Sequence, residues 1–231
     1  MILHMLSGDC LADAVRGIVA GDTAAVLREA LADGPLPAIG DPEFAAIRSG
    51  FNGISEDEYR RGFVSEVAKF RAPGLFDEIC LWFGDDVFCQ VNMWFCLSTV
   101  AGSEAHISRV FPASLDFGGE SAGGLRSAMT ARVRFEPSGI DLGRKLWDGF
   151  RLRDHNALAS LRTNEARGFR GLSETVDAAI AIDERPRIAV ENAVATFGDD
   201  FEAVFRYFSR NEPIYGFGDR QVRRLFDLLR G

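Results

Sequence analysis

Ile79-Cys80-Leu81-Trp82-Phe83-Gly84-Asp85-Asp86-Val87-Phe88-Cys89-Gln90-Val91-Asn92 is the stretch whose reading decides the fold. The apolar run Ile79 to Phe83 predicts a short buried strand. Gly84 and two carboxylates follow. An apolar helix comes next, over about Asp86 to Val100, with Gln90 and Asn92 in its first turns. A strand turning into a helix with acids at the tip is where α/β proteins usually hold ligands. The stretch places a site but names no reaction.

Upstream, Ile2 to Leu6 predicts a strand that ends at Ser7-Gly8-Asp9. Leu11, Val15, Ile18 and Val19 recur at helical spacing over residues 10–20, and Ala24 to Leu27 fits a second strand. Glu29 to Pro37 reads as a loop punctuated by Gly34-Pro35. Residues 42–71 predict two helical pieces with a break near 49–53. Ser55 can cap the second piece, with Glu58 in the reciprocal position. Pro73-Gly74 marks a turn.

Downstream, Ile107 to Phe111 fits a fourth strand and Val133 to Phe135 a short fifth. Phe117 to Gly124 reads as a flexible glycine-rich loop. This alternation predicts a three-layer, Rossmann-like α/β domain over residues 1–135, a mainly parallel sheet flanked by helices. From Pro137 on the pattern is helical, with six segments and Pro186 near the first turn of the fourth. Residues 136–231 are expected to form a helical domain packed on the sheet.

The chain has 231 residues, 47% hydrophobic, enough for a sizeable core. Its net charge is −8, and the pI near 5.0 argues against non-specific binding to nucleic acid or anionic membrane. The acidity lies in the first part: residues 1–135 carry 11 Lys+Arg and 18 Asp+Glu. No basic segment precedes an apolar one at the N-terminus, and no apolar run reaches the ~18 residues of a membrane span. A soluble cytoplasmic protein is expected. Cys10, Cys80, Cys89 and Cys96 show no zinc spacing and are expected to be small buried hydrophobes.

Asp9 ends the first strand, Glu29 and Asp33 follow the second, and Asp85 and Asp86 follow the third. Parallel strands would bring these five carboxylates to one edge. Such a crevice suits Mg2+ or Mn2+, with Asp9 and Asp86 as ligands, or general acid–base work by one carboxyl of raised pKa. Gln90, one turn after Asp86, makes a polar stripe on an apolar helix. Against this stands a simpler reading, in which Asp9 and Asp85 or Asp86 cap helices and the others are solvated. Phe-Gly-Asp recurs at 83–85, 197–199 and 217–219, each time before a helix, which favours capping.

Phosphate-loop patterns are absent. His4 and His106 fall in expected strands and His155 at a helix start, without obvious nucleophile partners. Arg220, Arg223, Arg224 and Arg230 line the last helix. They suit a helix-turn-helix-like reader or a solvated face.

The chain resembles bacterial proteins carrying the domain of unknown function 1835. The likeness lies in the opening strand with Gly8-Asp9, in Arg28-Glu29 and Gly34-Pro35, and in Leu81-Trp82-Phe83 with Asp86, Phe88 and Gln90. Leu142-Gly143-Arg144 with Trp147, and Gly218-Asp219 with Leu225, are similar to the helical part that often follows. In that family a Glu and a His follow Trp-Phe and an acidic residue precedes the Gln. Gly84, Asp85 and Cys89 stand at those places here. The resemblance implies an α/β domain plus helices and brings no activity with it. Two function classes remain open. One is an acidic crevice that binds a small molecule or nucleotide, with or without a divalent cation. The other is a non-catalytic regulatory or protein-interaction module.

Overall fold

The computed structural model describes residues 1–37, 42–71, 74–100 and 102–230. Pro73, half of the expected turn, lies outside the described residues. One sheet holds β1 (Ile2–Leu6), β2 (Thr23–Val26), β3 (Glu78–Trp82), β4 (His106–Val110) and β5 (Val133–Arg134). Its order is β2-β1-β3-β4-β5, with β5 alone antiparallel. Leu3 pairs with Thr23 on one side and Ile79 on the other. The chain therefore leaves β1 in one direction to build β2 and returns past it to build β3. That reversal parts the connections at the C-terminal ends of β1 and β3 and leaves a crevice between them.

The helices are α1 (Asp9–Val15), α2 (Phe44–Asn52), α3 (Glu56–Tyr59), α4 (Ser65–Arg71), α5 (Val87–Val100), α6 (Ala122–Thr130), α7 (Pro137–Arg151), α8 (His155–Leu161), α9 (Leu172–Ile180), α10 (Arg185–Phe197), α11 (Phe201–Asn211) and α12 (Asp219–Leu228). A π-helical turn, Arg60–Val64, joins α3 to α4. Strand residues alternate between two layers, as a pleated sheet requires. Leu6, Cys80, Trp82 and Val110 pack with Leu11 and Val15 of α1 and Leu125 of α6. Leu3, Met5, Ile79, Leu81 and Ile107 face the opposite layer, which holds α4 and α5. The result is a three-layer α/β fold. The edge of β2 is closed by side chains of α4. Glu66 accepts from the Val26 amide at 2.9 Å, and Lys69 donates to the Ala24 carbonyl at 3.2 Å. That blocks edge-to-edge pairing with another strand.

α5 is apolar nearly all round because the sheet covers one side and α7 the other. The two helices approach so closely that a Cβ on Gly143 would sit 2.3 Å from Leu97 Cδ1. One hydrophobic cluster runs from Leu3 and Met5 through α5 to Trp147, Phe208 and Phe226. Residue 135 therefore marks a change in element type, and the core continues across it.

Several local expectations need correction. α1 ends at Val15, and residues 16–22 form turns instead of a continued helix. Part of the expected glycine-rich loop is helical. Ser121 caps α6 by accepting from the Gly124 amide at 3.1 Å, so Gly123 and Gly124 open that helix. Cys80 and Cys96 are buried, but Cys10 is exposed and Cys89 half-buried. Ser55 and Glu58 do form the reciprocal capping box. Among the described residues, no helix is long and apolar enough to cross a membrane.

Gly143→Ala should destabilise the fold by about 1–3 kcal/mol, the usual cost of overpacking a filled interface. Urea unfolding of both proteins measures it. An unchanged midpoint would show that α7 does not seat on α5 as described.

Candidate functional site

Four of the five expected carboxylates are matched by arginines. Asp9 takes Arg28 Nε at 2.9 and 3.0 Å and Nη2 at 2.8 Å, on the surface. Glu29 is buried against fully buried Arg48 and also accepts from Asn52 Nδ2 at 3.2 Å. Arg48 additionally donates to the carbonyls of Ala30, Asp33 and Pro35, and Asn92 donates to the Glu29 carbonyl at 2.8 Å. These bonds fix the loop after β2. Asp33 pairs with Arg224 of α12. Burial raises its carboxyl above the ordinary value, against the pull of Arg224 and Arg48.

Asp85 sits between two guanidiniums. Arg109, fully buried on β4, donates to Asp85 Oδ1 at 2.6 Å and to the Phe83 and Gly84 carbonyls at 3.2 and 3.0 Å. Its other arm reaches the Gly168 carbonyl at 2.9 Å. Burial pushes the Arg109 guanidinium down to about 10, with Asp85 opposing. Arg170 reaches Asp85 Oδ2 at 2.5 Å and the carbonyls of Pro112 and Ser114 at 3.0 and 2.9 Å. Both guanidiniums rest on the Phe111 ring, 4.4 and 5.2 Å from its centre. Asp85 is thus a structural tie between β3, β4 and the helical part.

Asp86 differs. The residue is only 3% exposed, yet among the described residues it has no cationic partner. Oδ1 accepts from the Cys89 amide at 2.8 Å and so caps α5. Burial pushes its carboxyl up to about 6. The Cys89 amide and thiol pull it down, and Asp116 adds to the rise. Gln90 is buried and donates to the Gly84 carbonyl at 2.6 Å, which holds the turn that aims Asp86. From the helical part, Gly216 arrives with φ 61°, and a Cβ there would fall 2.1 Å from Asp86 Oδ1. Only glycine permits both that backbone and that approach.

Asp86 lines a cavity of about 430 Å³ in the crevice. Ser7, Cys10 and Ala14 form one wall, Phe88 and Cys89 another, and Asp116 to Glu120 a third, with Gly216 across from them. Of the six residues expected to bind ligand, Asp86 alone lines this cavity. Asp85 lines a neighbouring pocket with Arg170 and Thr175. Asp9 pairs with Arg28 and does not line the cavity that Asp86 faces. Among the described residues, no group of three or more His, Cys, Asp and Glu is placed to hold a metal ion.

The histidines lie outside the cavity. His4 Nδ1 accepts from Trp82 Nε1 at 3.1 Å, and burial lowers its pKa. His155 opens α8 behind its cap, Asp154. The arginine row of α12 is engaged within the molecule. Arg224 stacks 4.0 Å over Phe51 besides pairing with Asp33, and Arg223 lies 3.3 Å over Phe201. Arg220 donates to the Asn52 carbonyl at 3.1 Å, and Arg230 pairs with Asp199 at 3.0 Å.

Sequence reasoning passed over Asp116, Glu120, Cys89 and Gly216, which line this cavity. A signal existed for the first two, since their loop follows β4 and parallel strands share one C-terminal edge. Gly216 comes from a distant turn and left no local signal. No family model, curated protein or solved structure matches this chain.

The raised Asp86 carboxyl has a definite linkage sign. The folded protein holds this proton more tightly than the unfolded chain does, so Asp86 favours the fold at low pH. That advantage is lost as pH rises from about 4 to about 6. Relative to Asp86→Asn, which keeps the cap, wild type should therefore lose about 2–3 kcal/mol over that range. Urea midpoints of both proteins at pH 4 and pH 7 measure it. A difference that grows in favour of wild type with rising pH would contradict the assignment.

Proposed function

We propose that the crevice between β1 and β3 binds a small molecule and that Asp86 anchors it. The observation that supports this most strongly is the pairing of a cavity with an uncompensated charge. Among the carboxylates expected at the site, Asp86 alone is buried without an arginine, and it alone lines the cavity. A buried carboxylate without a counter-charge is costly, and such groups concentrate where ligands complete them. A volume of about 430 Å³ falls within the range of small-molecule sites. The position at a topological switch point agrees with where open α/β sheets hold ligands.

A carboxyl titrating near 6 also has the properties of a general acid–base at neutral pH, so hydrolysis or group transfer on the bound molecule fits this reading. The reading gives physical content to the proposed likeness to the domain of unknown function 1835. The similar residues Trp82, Phe83, Asp86, Phe88 and Gln90 build or line this crevice. Gly84, where that family carries a Glu, has no room for a side chain. A Cβ there would lie 2.7 Å from both the Leu115 carbonyl and Asp86 Oδ2.

Ala14 is exposed on the crevice wall, so Ala14→Trp should fill the cavity without disturbing the core. A small-molecule library screened by ligand-observed NMR should yield binders that Ala14→Trp abolishes while circular dichroism stays unchanged. Binders that all persist in Ala14→Trp would place ligand binding elsewhere.

A further inference from the structure

We infer that the crevice selects a ligand carrying a protonated organic amine, with Asp86 as its counter-charge; this rests on the crevice being the binding site. Three carboxylates line the cavity, Asp86, Asp116 and Glu120, and no Lys, Arg or His does so among the described residues. That lining alone would be a solvated acidic surface. The second observation is Asp86 itself, which is more than nine-tenths buried, lines the cavity and lacks a cation. Its donors are the Cys89 amide and thiol and its own amide, all of them neutral, so among the described residues no cation balances its charge. An ammonium group supplies both the opposite charge and the N–H donors that a desolvated carboxylate requires.

The same geometry disfavours the two other ligand classes that an acidic crevice suggests. A phosphate in an α/β crevice normally sits on a helix N-terminus. Here the first turn of α5 already carries Asp86 as its cap, so that seat holds a negative charge. Asp116 and Glu120 add like-charge repulsion, which acts as selection against anions. A bare divalent cation favours several carboxylates converging on one point, and among the described residues no group of three or more His, Cys, Asp and Glu is so placed. Phe88 and Phe117 on the walls add apolar area and ring faces, both suited to an organic cation.

The test uses the full chain and a charge-matched pair of probes, phenethylamine and phenylacetate, with inorganic phosphate and Mg2+ alongside. Two-dimensional amide NMR follows the crevice glycines Gly118, Gly119 and Gly216. Phenethylamine should shift all three saturably. Asp86→Asn should weaken it roughly ten- to hundredfold, the range for loss of a charge-assisted contact. Asp116→Asn with Glu120→Gln, both nearer the surface, should weaken it by a few-fold and serves should Asp86→Asn fail to fold. Saturable shifts from phosphate or phenylacetate at equal or lower concentration would overturn the amine inference and leave the crevice as the site. Silence toward phenethylamine, with neutral or anionic binders that Ala14→Trp abolishes, would do the same. Silence with no such binders would overturn the proposed site as well.

Discussion

The Asp85 carboxylate, held between Arg109 and Arg170, is the interaction on which the site depends. Arg109 arrives from β4 and Arg170 from the loop before α9. Between them they also bind the carbonyls of Phe83, Gly84, Pro112, Ser114 and Gly168. One carboxylate thus fixes the tip of β3, the exit of β4 and the helical part in a single arrangement. A buried pair of this kind adds little net stability over an apolar alternative, and removing either partner is costly. Its consequence is positional. With Asp85 committed to one side of the turn, Asp86 faces the crevice on the other.

The remaining carboxylates follow the same logic. Arg28, Arg48 and Arg224 answer Asp9, Glu29 and Asp33, and each of these pairs ties the segment after β1 or β2 to its surroundings. The acidic edge is therefore largely a set of structural clamps. Of the five carboxylates expected at this edge, Asp86 is the one without a cationic partner among the described residues. Gln90 holds the turn beneath it, and Gly216 brings the helical part against it. The helical part is thus more than an appendage, because it shares the core through α7 and closes the crevice through Gly216.

Much of the fold was legible because its signals are local. Apolar runs located the strands, and Ser55 with Glu58 announced a capping box that forms. α6 escaped because its first turn carries Gly123 and Gly124, which read as loop until the Ser121 cap is seen. The cavity at the tip of β3 was legible in place, and its lining only partly. Phe-Gly-Asp-Asp occurs at 83–86 and 197–200, and in both the second Asp caps the next helix, Asp86 over Cys89 and Asp200 over Ala203. The local chemistry is identical, yet Asp200 is exposed and Asp86 buried. Burial comes from distant elements, as do the arginines that neutralise the other acids. Arg224 lies 191 residues from Asp33, and no local pattern encodes such a pair.

The central claim is that Asp86 is a buried carboxylate whose charge the protein leaves unanswered. The most direct measurement is an NMR titration of the Asp86 side-chain carboxyl carbon in the ligand-free protein. The account predicts a midpoint near 6, well above the ordinary value of 3.8. A midpoint below about 4, the unperturbed aspartate range, would show that a charge within the fold already answers Asp86. It would contradict the account.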